Sequence, residues 1–241
     1  VRAPAARARS SSPPEATSRL FLRALPFLRA GGEERGAALA AGPLGQFAML
    51  RGDRERANTF LTEAKDHGED WQASLYHCRI ARQRIADGDY AAARAQLRLA
   101  LEVSRAVQDQ FTALVTQYTW AVCAVAENDP ADARGHLVEG LAMAAPAGDE
   151  AAVAQFLSAV ADLDSRHGDL ERAVRLEAAA QALRTPSNEM WMRAFVAPWP
   201  ATGPGRAAVR AQLGPDGFDG AWRDGEQLGV DRAVAEATAG R

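Results

Sequence analysis

Residues 80–100, IARQRIADGDYAAARAQLRLA, and residues 120–140, WAVCAVAENDPADARGHLVEG, share one plan: an apolar-periodic run, a break at Gly88-Asp89 or Asn128-Asp129, and a second such run. Gly and Asn tolerate the left-handed conformation that ends a helix, and Asp caps the helix that follows, so each stretch reads as a helical hairpin. The same break stands at Gly52-Asp53 and Gly168-Asp169. The four Asp residues are 36, 40 and 40 positions apart, which makes the chain a helical repeat.

Alignment on each Asp sharpens the repeat. Four residues later stand Ala57, Ala93, Ala133 and Ala173; eleven later stand Ala64, Ala100, Gly140 and Ala180; eight earlier stand Gly45, Ala81, Ala121 and Ala161. Every one is small, as antiparallel helices require where they cross closely. Large residues fill the neighbouring sites: Leu44, Ile80, Trp120 and Val160 just before the third set, and Leu61, Leu97 and Leu137 eight after the Asp. At the fourth such site stands Glu177, which predicts that no full repeat stacks beyond the last hairpin.

The spacing predicts helix pairs at 34–51 with 53–67, 70–87 with 89–107, 110–127 with 129–146, and 150–167 with 169–184, preceded by a helix at 16–30. Pro26 and Pro43 fall inside apolar-periodic stretches, so a bent or irregular start is expected. Residues 1–15, rich in Arg, Ala, Ser and Pro, read as a disordered tail or linker, or a cut end. Residues 16–184 read as the repeat array. Residues 185–241 read as a loop with tryptophans among prolines and glycines, followed by a helical cap that closes the array. No strand is expected.

The small crossing sites resemble those of the tetratricopeptide repeat, whose usual period is shorter, about 34 residues. The longer period is similar to that of the helical arrays in large bacterial regulators of the LuxR, MalT and AfsR type. The ending LGPDGFDGAWRDGEQL, carried by Leu213, Gly214, Phe218, Ala221, Trp222, Gly225 and Leu228, resembles the close of such arrays. The resemblance covers roughly residues 34–239. It implies an all-α, right-handed α-solenoid of about four tetratricopeptide-like hairpins with a C-terminal helical cap. It also implies that the first helix of each pair lines a concave groove. The groove residues eleven and seven before each Asp are then Gly42 and Gln46, Cys78 and Arg82, Tyr118 and Val122, Ser158 and Asp162. In such regulators an ATPase precedes the array, and a DNA-binding element follows the ending or lies far upstream.

Composition narrows the function. The formal charge of −3 supplies no global field for nucleic acid or anionic membrane. The only lysine, Lys65, sits in FLTEAKDHG, so no phosphate-binding Walker loop exists here, and HExxH, GxSxG and CxxC are absent from the sequence. Every apolar run is interrupted by arginine or acid before reaching the roughly 18 residues of a membrane span. Two cysteines without a CxxC pair or leader suit a reducing, cytoplasmic setting. His77, Cys78, Cys123 and His136 could be imagined as metal ligands, but packed thiols and surface histidines explain them without an ion, and no metal or cofactor is expected. Asp162 and Asp164 lie two apart on a helix and so face different ways, which reads as a solvated face. Trp71, Tyr76, Phe111, Tyr118 and Trp120 read mostly as core. The expectation is a binding module without catalysis, the repeat region of a regulator holding a protein partner or a small effector. Direct nucleic-acid contact by this chain and membrane insertion are not expected. The alternative is a stand-alone scaffold that assembles other proteins.

Overall fold

A computed structural model describes residues 13–67, 70–185, 196, 198–200 and 203–239. Those residues form an all-α array, with no strand among them. The helices are α1 Pro13–Ala30, α2 Glu34–Leu50, α3 Arg54–His67, α4 Asp70–Ala86, α5 Tyr90–Ala106, α6 Gln110–Ala126, α7 Pro130–Ala144, α8 Glu150–Arg166, α9 Leu170–Leu183, α10 Arg206–Glu226 and α11 Val230–Thr238. Helices α2 to α9 pack as four successive hairpins, each laid against the next; α10 packs on α9, and α11 on α7, α8 and α9. No described helix is long and apolar enough to cross a membrane.

The turns follow the expected rule, except that the Asp169 side chain makes no cap hydrogen bond to α9. Gly52, Gly88, Asn128 and Gly168 all take positive φ, between 61° and 84°. The carboxylates of Asp53, Asp89 and Asp129 each accept a hydrogen bond from the backbone N–H three residues on, satisfying a donor that the first helical turn leaves open. The same device also joins one hairpin to the next, which the sequence reading did not foresee. Gly148 (φ 68°) precedes Asp149, and Gln108 (φ 54°) precedes Asp109; each Asp again caps its helix. A glutamine in this conformation meets steric resistance that glycine escapes. Gln108→Gly is therefore expected to raise unfolding stability by about 0.5–1 kcal/mol, read from denaturant midpoints.

All twelve small sites are buried. The crossings are tight enough that a Cβ built on Gly140 would lie 2.8 Å from Phe156 Cδ1, and one on Gly45 2.7 Å from Leu61 Cγ. The large sites Leu44, Leu61, Leu97, Leu137 and Val160 are buried between them. Helices α1 and α2 run on through Pro26 and Pro43 without ending there. Each proline removes the bond to the carbonyl four residues back, and those carbonyls belong to Leu22 and Leu39, residues on the exposed side of their helices where water can replace the lost donor. Helix α1 begins at Pro13, three residues before the expected boundary; of the expected tail 1–15, residues 1–12 lie outside the described residues.

Candidate functional site

The eight positions assigned to the groove separate into two groups. Gly42, Cys78 and Tyr118, each eleven before its Asp, are buried. A Cβ on Gly42 would lie 2.7 Å from Tyr76 Cζ, Cys78 Sγ lies 2.9 Å from Thr116 Oγ1, and the Tyr118 ring meets Phe156 edge-on at 5.6 Å. These contacts repeat along the array, so this position faces the first helix of the next hairpin. It fills a seam instead of lining an open groove. Val122 is buried with them and Arg82 is half-buried on α4; the side chain of Gln46 lies outside the described residues. Ser158 and Asp162, one turn apart on α8, are partly exposed and come together at a cavity.

Burial raises the Cys78 thiol to about 12, against a weaker opposing effect of the Thr116 hydrogen bond and nearby arginines. The Cys123 thiol is likewise pushed up to about 12, by burial first and then by the Glu127 carboxylate. Both thiols are expected to resist a disulfide reagent at pH 8 in the native chain and to react promptly once denaturant is added; fast native labelling would contradict their placement. A thiol raised on folding contributes stability below its unfolded value, near 8.5, and loses it as pH climbs toward 12. The four imagined metal ligands are engaged separately: His77 with Gln96, Cys78 with Thr116, Cys123 with Glu127 and His136 with Gln117.

The cavity, about 270 Å³, lies where the cap meets the last hairpin. Helix α8 supplies Ser158 and Asp162, α9 supplies Glu177, and α10 supplies Arg206, Phe218 and Trp222. Glu177 is the residue that broke the leucine rule, and its departure marks the cavity. A leucine there would close against an apolar neighbour, whereas Glu177 holds Arg184 at 3.3 Å, and Arg184 donates to Ser158 Oγ at 2.6 Å. The cap helix α10 stacks on α9 and leaves this polar gap.

The motif on the cap acquires a physical reading here. Gly214, at φ 72°, kinks α10, which lets Phe218 and Ala221 turn inward against Val174 and Val209. Gly225 lies directly on α9: a Cβ there would stand 2.7 Å from Ala178 Cβ and 2.8 Å from Arg175 Cα. Trp222 stacks on Phe218 with ring centroids 5.9 Å apart, and the Arg206 guanidinium lies 4.0 Å from the Trp222 ring centre. Arg206 has no carboxylate within ion-pair distance among the described residues, and cation–π contact holds it over the aromatic wall.

Asp162 separates this cavity from a second feature. Its Oδ2 accepts from the Trp199 indole Nε1 at 2.9 Å and pairs with Arg166, while Arg166 donates to the Pro200 carbonyl at 2.8 Å. Asp164, two residues on, is 2% exposed and is held by Arg134 and Arg172. Neither carboxylate belongs to the plain solvated face expected from their spacing. The roles of Arg206, Trp222 and Trp199 were not legible from the repeat, because they come from the segment after it; the Glu177 exception was the available signal.

No protein-family model matches the chain, and no solved structure matches it at significant similarity. Three curated mycobacterial proteins do, one from Mycobacterium bovis and two from strains of Mycobacterium tuberculosis, all named provisionally as HTH-type transcriptional regulators. Each is 28% identical over 170 residues, covering 70% of this chain. The chain spans only 18% of the length of these relatives.

Proposed function

We propose that the chain is a ligand-binding helical-repeat module of a bacterial transcriptional regulator, one that holds an effector or partner and performs no catalysis itself. The observation that carries this reading is the cavity between the last hairpin and the cap. Its two lining serines are engaged, Ser158 by Arg184 and Ser165 with the Asp162 carbonyl, so the lining presents charges and an aromatic wall suited to holding a molecule. The similarity to transcriptional regulators far longer than this chain supports a module that reports to other domains. Association with the LuxR, MalT and AfsR type of regulator rests on the 40-residue period and the Phe218-to-Leu228 ending. On this reading the module itself makes no direct contact with nucleic acid, and acts in the cytoplasm.

The lining also suggests a ligand class. Asp162 and Glu177 on one side and Arg206 on the other suit a small molecule bearing both an ammonium and a carboxylate, with its body against Trp222 and Phe218. A thermal-shift screen of the whole chain against the free amino acids at millimolar concentration tests this. A ligand at a hundred times its Kd adds about 2.7 kcal/mol, so at least one compound should raise Tm by several degrees, and Glu177→Ala with Arg206→Ala should abolish the shift. No shift with any compound, or equal shifts in the double variant, would contradict the effector reading.

A further inference from the structure

The surface formed by α6 and α8 is already in contact with a piece of the chain. Trp199 lies against Tyr118 on α6, centroids 5.7 Å apart, and donates its indole N–H to Asp162 on α8. Pro200 offers its carbonyl to Arg166 at 2.8 Å, and Val196 is buried in the core that α6 and α8 build. A Cβ on Gly203 would lie 2.6 Å from Ser165 Oγ and 2.7 Å from Asp162 Oδ1, so Gly203 lies directly on α8.

We propose that this surface is a peptide-binding groove selective for an extended segment in which a tryptophan is flanked by prolines, and that Trp199 with Pro198 and Pro200 is its resident occupant, which a partner of the same chemistry displaces. Three physical properties support that partner. Prolines 198 and 200 fix their own φ, and Pro200 pushes Trp199 toward extended backbone, a conformation that costs little entropy to bind. The receptor side offers an aromatic ring for the indole, a carboxylate for its N–H and a guanidinium for the following carbonyl, which is how aromatic-lined grooves read proline-rich segments. The occupant is tethered, so it competes at an effective concentration in the millimolar range and keeps the groove closed to weak ligands.

The experiment uses the whole chain and a fluorescein-labelled peptide VAPWPATGP, followed by fluorescence anisotropy. Trp199→Ala should bind the peptide at least tenfold more tightly than wild type, because its own strap has lost its anchor. The same peptide with tryptophan replaced by alanine should bind at least tenfold more weakly. Trp199→Phe, which keeps a ring and loses only the N–H, should fall between and decides the matter if Trp199→Ala loses its helical circular dichroism. If the folded variants bind the peptide no better than wild type, or the alanine peptide binds equally, the strap is a structural tether only and the proposal is overturned. That outcome leaves the cavity reading standing, since its test uses small molecules and residues of α9 and α10.

Discussion

Asp164→Ala is expected to destabilise the chain by about 3–5 kcal/mol, the usual consequence of removing one partner from a buried charge network. Asp164 is 2% exposed; Arg134 reaches it from α7 and Arg172 from α9, at 3.4 Å in the latter case. Arg172 also donates to the carbonyls of Glu236, Ala237 and Ala239, closing the C-terminal end of α11. One carboxylate therefore links two hairpins and the final helix, and its loss leaves guanidinium groups in a poorly solvated site. Asp164→Asn, which keeps the shape and some hydrogen bonding, should cost less. Urea midpoints would check both, and a cost under about 1 kcal/mol for the alanine would mean the network is solvated after all.

The second large effect is expected at Gly225. Any side chain there meets α9 backbone at Arg175, which cannot rotate aside. Gly225→Val should cost at least the 1–3 kcal/mol typical of overpacking, and the loss should be local: α10 lifts from α9, the Phe218 and Trp222 contacts loosen, and α2 to α7 stay folded. A two-phase unfolding curve, with a lowered first transition and a nearly unchanged second, is the expected signature, because repeat arrays are stabilised mainly by neighbour contacts. Gly220→Ala on the same helix, where an added Cβ meets nothing within 4 Å, is the matched control.

Much of the architecture could be read from residues whose physics is local. The Gly-Asp breaks place the hairpin turns because positive φ and N-capping are single-residue properties, and Ala or Gly recurs at crossings because helix separation leaves no alternative. Gln108-Asp109 escaped notice since glutamine carries no signal for positive φ, although Asp109 behaves as the other caps do. The site was less legible. Tyr118 and Cys78 occupy the positions where a groove was expected, yet adjacent first helices pack side by side and seal Cys78 into the seam, while Tyr118 is covered on one side by Phe156 and on another by Trp199. That arrangement depends on the distance between hairpins, which periodicity does not encode. Asp162 lies partly exposed on α8, but what meets it, Trp199, arrives from a segment with no repeat to align.

The measurement that tests the binding account most directly is a nitrogen-15 correlation spectrum of the indole groups, recorded while the compound that most raises Tm is titrated into the whole chain. The chain has five tryptophans. Trp222 lines the cavity and Trp199 is bonded to its Asp162 wall, whereas Trp120 is stacked on His136 at 4.7 Å, away from it. The account predicts that the Trp222 and Trp199 signals move together and saturate while the Trp120 signal stays fixed. Movement of Trp120 with Trp222 unchanged would contradict it.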